Sequence, residues 1–170
     1  MNTPILKKII TFIIITIIII IILFVPMFPR LILNSVKNDK IDMILKIPKK
    51  EFIISYIHSV NKSKIRDYYN INKDKDIVLE KTRFVSYGAG VPEPKEGQTF
   101  LITDDYMEID NINMIIKDLY LSIGTSANHS LMIDDKIFEL NKTFNPQTII
   151  KIEYKNVNLF YYIKSYITAQ

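Results

Sequence analysis

The two histidines of the chain are the side chains best suited to chemistry at neutral pH. His58 ends the alternating stretch Phe52–His58, and His129 follows a run of small residues. Imidazole transfers protons and ligates metals, so a shared site for both is one hypothesis. Such a metal site needs further ligands, for example Glu80 or Asp67, and no motif of fixed spacing supplies them. We favour the alternative, in which each histidine ends a strand and hydrogen-bonds a loop backbone.

The other candidate residues indicate binding rather than catalysis. Arg83 is one of only three arginines; its guanidinium suits carboxylate ligands, although an ion pair on a strand face is the simpler explanation. Gly88 and Gly90 lie in a loop without the Lys-Ser/Thr pair of a phosphate-binding loop, so they indicate a tight bend. No Gly-x-Ser-x-Gly nucleophile motif occurs. We predict no catalytic residues, no metal or other cofactor, and a ligand site formed by His58, Arg83, Gly88, Gly90 and His129.

The elements that must position these residues are predicted to be strands. Alternation of apolar and polar residues, interrupted by turn signals, is typical of antiparallel sheets. Within Ile77–Tyr87, strict alternation places Thr82 and Phe84 on one face and Ile77, Leu79 and Arg83 on the other. The predicted strands are Phe52–His58, Tyr68–Asn72, Ile77–Tyr87, Thr99–Thr103, Tyr106–Ile109, Leu119–Ile123, His129–Ile133, Lys136–Leu140, Thr148–Tyr154 and Val157–Ile163.

This pattern predicts a mainly β fold. Many short strands without a helical period longer than two turns after residue 30 indicate a single β-sandwich or barrel-like domain. With 140 residues from Leu31 to Gln170, the chain is long enough for one core without disulfides, and it contains no cysteine.

The segment Ile9–Val25 differs in character from the rest of the chain, because it contains no charged residue, amide or glycine. It is long for a signal-peptide core and no small-x-small cleavage motif follows, so we predict an uncleaved transmembrane signal anchor over residues 9–28, with Met27 and Phe28 extending the helix. Lys7 and Lys8 favour a cytoplasmic head at residues 1–8. Residues 29–50 are predicted to be a connector and residues 51–170 an extracytoplasmic β domain.

Net charge argues against a nucleic-acid-binding protein. The chain carries a formal charge of +4, but Lys7, Lys8 and Arg30 flank the apolar segment. The remainder holds 19 basic and 18 acidic residues. A nearly neutral domain lacks the basic surface that nucleic-acid recognition requires.

Four segments carry a resemblance to a known family. Tyr-Ile-His-Ser-Val-Asn-Lys-Ser (56–63), Lys-Thr-Arg-Phe-Val-Ser-Tyr-Gly-Ala-Gly-Val-Pro (81–92), Glu-Gly-Gln-Thr-Phe (96–100) and Ile-Gly-Thr-Ser-Ala-Asn-His-Ser-Leu (123–131) are similar to a bacterial and archaeal domain family of unknown function. The resemblance covers roughly residues 50–165. It implies a signal or anchor segment and a gene position beside TRAP-type transporters, which use an extracytoplasmic solute-binding protein.

These observations predict a single-pass protein of the cell membrane with its domain outside. Its expected role is that of a non-catalytic accessory or binding module, with a TRAP-type permease or solute-binding subunit as the partner that the resemblance implies. A metal-assisted hydrolase using His58 and His129, or a purely structural envelope protein, are the alternatives.

Overall fold

A computed structural model describes residues 3–37, 40–60, 62–86 and 93–168. Within these ranges the chain is mainly β, as predicted, with strands in two antiparallel sheets and an apolar helix at the N-terminus. In chain order the elements are α1 (Thr3–Phe24), β1 (Phe28–Ser35), β2 (Lys40–Leu45), β3 (Glu51–Ile57), β4 (Lys64–Ile71), β5 (Ile77–Phe84), β6 (Thr99–Ile102), β7 (Met107–Asp110), β8 (Met114–Ile116), β9 (Leu119–Ser122), β10 (Ser130–Ile133), β11 (Lys136–Glu139), α2 (Leu140–Thr143), β12 (Ile149–Val157) and α3 (Leu159–Thr168).

The smaller sheet has four strands in the order β2-β1-β12-β9. Strand β1 pairs with β12 along its whole length, from Phe28 opposite Val157 to Ser35 opposite Ile150. Residues 29–50, predicted as a connector, therefore contain two strands of this sheet. Leu31, Ile32 and Leu33 are completely buried, so the segment is part of the core rather than a spacer.

The larger sheet has eight strands, and seven of them follow the order β11-β10-β3-β4-β5-β7-β6. The eighth strand, β8, pairs with β5, as β7 does. The pairing of β4 with β5 shifts register between Tyr68 and Tyr69, where β5 carries one extra residue. Such a bulge reverses which face of the sheet the following side chains occupy. The strict alternation predicted for β5 is therefore wrong: Leu79 shares a face with Thr82 and Phe84.

The two sheets pack face to face over one main core. The four-stranded sheet contributes Leu33 and Ile152, and the eight-stranded sheet contributes Phe52, Ile54 and Leu131, all of them buried. We call this side of the larger sheet its inner face. Side chains from two sheets meeting in one apolar layer make the arrangement a sandwich, as the sequence predicts.

The helices differ in part from expectation. Helix α1 ends at Phe24, two residues before Pro26, and Phe28 already belongs to β1. Val157–Ile163, predicted as a strand, instead leads into α3. The side chain of Asn158 accepts a hydrogen bond from the backbone N–H of Tyr161 at 2.7 Å, which is the contact of a helix N-cap. This local cap explains why the aromatic run after it is helical.

Candidate functional site

A cavity of about 500 Å³ opens on the inner face of the eight-stranded sheet, where β3, β4, β5 and β7 lie side by side. Its walls are largely apolar and include Ile65, Leu79, Phe84 and Ile109. Residues 93–98 supply polar side chains at its rim: Glu93 and Lys95 are exposed, and Gln98 is partly exposed. This size lies within the range of small-molecule sites in proteins, about 300–1,000 Å³.

Asp67 brings a carboxyl group to the inner face of the sheet. On β4 it alternates with Ile65, Tyr69 and Ile71, which are all buried, so its side chain is directed to the same side as theirs. In the sheet register, Asp67 is paired with Ile54 of β3 on one side and with Thr82 of β5 on the other. Asp67 is partly exposed and lines the cavity. An acid at this position is exceptional, since a desolvated charge is costly unless it has partners.

Two hydroxyl groups partner the carboxyl. The Thr82 hydroxyl donates to Asp67 Oδ1 at 2.7 Å, and the Tyr56 side chain is also hydrogen-bonded to Asp67. Desolvation nevertheless raises the pKa of Asp67, because the two hydrogen bonds only partly offset it. Desolvation and the negative charge of Asp67 also raise the pKa of Tyr56, so its phenol stays protonated and remains a donor. We call Asp67, Tyr56 and Thr82, with the cavity they face, the Asp67 site.

His129 borders this site. Its ring stacks on that of Tyr56 with the centroids 5.7 Å apart, and the residue is 6% exposed. Its Nδ1 accepts a hydrogen bond from the Gly124 backbone N–H at 3.4 Å. A Cβ on Gly124 would come within 3.1 Å of the Ala127 Cβ, so the lack of a side chain there lets the loop fold tightly beside the histidine. Burial lowers the pKa of His129, which keeps the imidazole neutral.

His58 lies just beyond β3, next to the same loop. The preceding residue, Ile57, donates to the backbone carbonyl of Ala127 at 2.6 Å. His58 Nδ1 accepts a hydrogen bond from the Val60 backbone N–H at 3.3 Å. The loop that leads to His129 thus meets the end of β3. Both histidines accept from a backbone N–H, as in the favoured sequence interpretation.

Arg83 belongs to the opposite, outer face of the sheet. Its Nε and Nη2 donate to Glu108 Oε2 at 2.9 and 2.7 Å, and its guanidinium carbon lies 3.9 Å from the centre of the Tyr106 ring. Glu108 also lies 3.4 Å from Lys81 Nζ. Because neighbouring residues of a strand face opposite sides, Arg83 is separated by the sheet from Thr82 and Phe84. The structure therefore does not bring Arg83 together with His129.

The remaining predicted site residues, Gly88 and Gly90, lie outside the described residues. Within the described ranges, no three His, Cys, Asp or Glu side chains are grouped so that they could hold a metal ion. Of the predicted set, His58 and His129 share one region of the fold.

The ligand site predicted from the sequence does not include Asp67, which is considered there only as a further metal ligand. The signal that could have revealed it is periodic: Ile65, Asp67, Tyr69 and Ile71 alternate, and one of these four core positions is acidic. The predicted strand began only at Tyr68, which excluded that position. The actual strand begins at Lys64.

A family model described as a domain of unknown function, DUF1850, matches residues 52–140, slightly more than half of the chain. The matched range contains Asp67, Thr82, Tyr56 and both histidines. No curated protein and no solved structure matches the chain.

Proposed function

The chain belongs to the DUF1850 family of domains of unknown function, and we propose that it is a membrane-tethered binding module whose Asp67 site takes a small organic ligand. The observation that carries the binding role is the partly buried acid at the cavity. The inner face of a sandwich sheet is normally covered by apolar side chains, whereas here a cavity of about 500 Å³ lies beside a carboxyl and two hydroxyl groups. Convergent polar groups in an apolar pocket are typical of ligand sites.

The chemistry of the site favours a ligand with an apolar body and one protonated amine. A carboxylate has about four lone-pair positions, and the hydroxyl groups of Thr82 and Tyr56 occupy two of them. An ammonium group would donate to a remaining position and compensate the desolvated charge. The walls formed by Ile65, Phe84 and Ile109 would cover the apolar body.

This proposal is tested by calorimetric titration of the full chain, in lipid nanodiscs, with probes that differ only in their head group. Phenethylamine, 2-phenylethanol and phenylacetate share the apolar ring. We expect the amine to bind most tightly, the alcohol less tightly and the carboxylate least, and the preference for the amine to disappear in Asp67→Asn. Asp118→Asn is the matched control, because Asp118 is an exposed acid paired with Lys151 on the other sheet. An equal preference for the amine in Asp67→Asn would refute the assignment.

The tether is proposed from helix α1. Its 22 residues span about 33 Å at 1.5 Å per residue, enough for the roughly 30 Å hydrocarbon layer. Pro4–Phe24 is apolar enough to cross a membrane, and its side chains are exposed all round, Phe12 by 71%. The Thr11 and Thr16 hydroxyl groups donate to backbone carbonyls within the helix at 2.9 Å, which lowers the cost of placing them in lipid.

An extracytoplasmic position of the domain is supported by Lys7 and Lys8 at the start of α1. Because the chain has no cysteine, single-cysteine variants report the orientation. A membrane-impermeant maleimide should label Asp104→Cys, in the exposed turn after β6, in intact cells, and should label Ile5→Cys only after lysis. The reverse pattern would place the domain in the cytoplasm.

Association with a TRAP-type permease or solute-binding subunit is supported by the family resemblance. Crosslinking of the full chain in its native membrane, followed by identification of the captured proteins, tests it. Capture of such a subunit by the wild type is the expected result, and capture of none would contradict the partnership without affecting the Asp67 site.

A further inference from the structure

The C-terminal helix α3 is attached to the end of helix α1. The rings of Phe24 and Phe160 stack with their centroids 5.7 Å apart. The amide of Asn158, the cap of α3, donates to the backbone carbonyl of Phe24 at 3.3 Å. These contacts hold the first turn of α3 against the last turn of α1, where a membrane-spanning α1 would leave the hydrocarbon layer.

Three large apolar or aromatic side chains in the first half of α3 are exposed. Phe160 is 49% exposed, and Tyr161 and Ile163 are exposed to a similar degree. Met27, in the link between α1 and β1, is exposed as well. Exposed large apolar groups are costly in water when they are contiguous, and they mark surfaces that contact a partner or a membrane.

The groups around this surface suit the boundary between lipid and water. Helix α3 has no acidic residue along its sequence LFYYIKSYIT. The Arg30 guanidinium carbon lies 5.0 Å from the centre of the Tyr162 ring, which places a cation beside the aromatic groups. Tyrosine and arginine at this depth are favoured because an aromatic body prefers the acyl boundary while polar ends reach the headgroups.

We propose that α3 is an interfacial helix that lies on the lipid surface, with Phe160, Tyr161 and Ile163 in the acyl–headgroup boundary. The inference rests on the proposed membrane tether, because α1 sets the position of the bilayer. Together α1 and α3 give the domain two attachments, so the β-sandwich is held at a fixed orientation to the membrane rather than swinging on a single helix. An interfacial helix with charged neighbours binds anionic surfaces most strongly.

Tryptophan fluorescence tests this directly, because the chain has no native tryptophan. The full chain carrying Phe160→Trp is reconstituted in vesicles of phosphatidylcholine and phosphatidylglycerol, with or without bromine on the lipid acyl chains. We expect its emission to be shifted to the blue and to lose most of its intensity in brominated lipid. Tyr120→Trp is the matched control, since Tyr120 is 53% exposed on β9; it should keep its intensity.

Phe12→Trp, in the middle of α1, separates failure of this inference from failure of the tether. Quenching of Phe12→Trp without quenching of Phe160→Trp would overturn the interfacial helix and leave the tether intact. Quenching of neither would overturn both. A blue shift of Phe160→Trp that brominated lipid does not quench would show a protein-covered helix face, which also contradicts the proposal.

Discussion

The Asp67→Asn variant should become more stable relative to the wild type as the pH rises. The substitution keeps the size of the side chain and removes its ionisation. In the wild type, desolvation raises the folded-state pKa of Asp67 above its unfolded value near 3.8. Between the two pKa values the folded state binds more protons, so stability falls with rising pH through the folded-state pKa, and the stabilising contribution is fully present only below the unfolded pKa.

The expected size follows from the contacts. At low pH both side chains are neutral, and the asparagine amide cannot accept from Thr82 and Tyr56 as fully as the carboxyl group does. Losing one such hydrogen bond costs about 1 kcal/mol. As the pH rises, the free energy of unfolding of the variant increases relative to that of the wild type. The full increase is about 1.4 kcal/mol for every tenfold difference in proton affinity of Asp67 between the folded and unfolded wild type.

The assay is urea unfolding of the full chain in detergent, for wild type and Asp67→Asn, between about pH 4 and pH 8. The difference in free energy of unfolding should change steadily in favour of the variant and then level off. A flat difference for Asp67→Asn, or one that moves in favour of the wild type with rising pH, would refute a desolvated acid at this position.

Three further predictions concern the outer face, the cavity wall and the histidine. Glu108→Gln should lower the free energy of unfolding by about 1–3 kcal/mol in urea titrations, because it removes the shared anion of two cations; Glu139→Gln, whose lysine pair is exposed, should change it by less than about 0.5 kcal/mol. Phe84→Ala, at a side chain 1% exposed, should cost about 3–5 kcal/mol, whereas a loss below about 1 kcal/mol would show that the residue is not packed. Because burial lowers the pKa of His129, its stabilising contribution is present above the unfolded value of 6.5 and lost as the pH falls through the folded-state pKa, so His129→Gln should flatten the acid side of the wild-type stability curve; an unchanged slope would contradict this.

The sequence predicts the architecture where apolar and polar residues alternate and the paired strands are close together in the chain. The paired strands β10 and β11 meet at Asp134, whose positive φ of 49° suits the turn there, and the β6–β7 hairpin follows the same local rule. Residues 28–45 were missed because a strand with three consecutive buried residues, Leu31 to Leu33, shows no alternation. Its partner, β12, lies more than one hundred residues later, and such pairing leaves no local signal.

The candidate site depended on features that are not local. The bulge in β5 opposite Tyr68 and Tyr69 changes which side chains of the strand share a face with Arg83. Alternation in the sequence does not reveal this bulge, so a prediction from alternation groups Arg83 with the wrong side chains. Asp67 gains its importance from neighbours on two other strands, Tyr56 and Thr82. Each histidine, by contrast, lies at the end of a strand that the sequence predicts, and its contacts with a loop follow from that position.

The most direct test of a ligand-binding Asp67 site is fluorine NMR of 2-(4-fluorophenyl)ethylamine titrated with the full chain in nanodiscs. Leu79 lines the cavity, and Leu79→Trp should fill part of its volume. The account predicts a shifted and broadened fluorine signal with the wild type, displaced by unlabelled phenethylamine, and a free-probe signal with Leu79→Trp at the same protein concentration. An identical signal change with both proteins would contradict binding in the cavity.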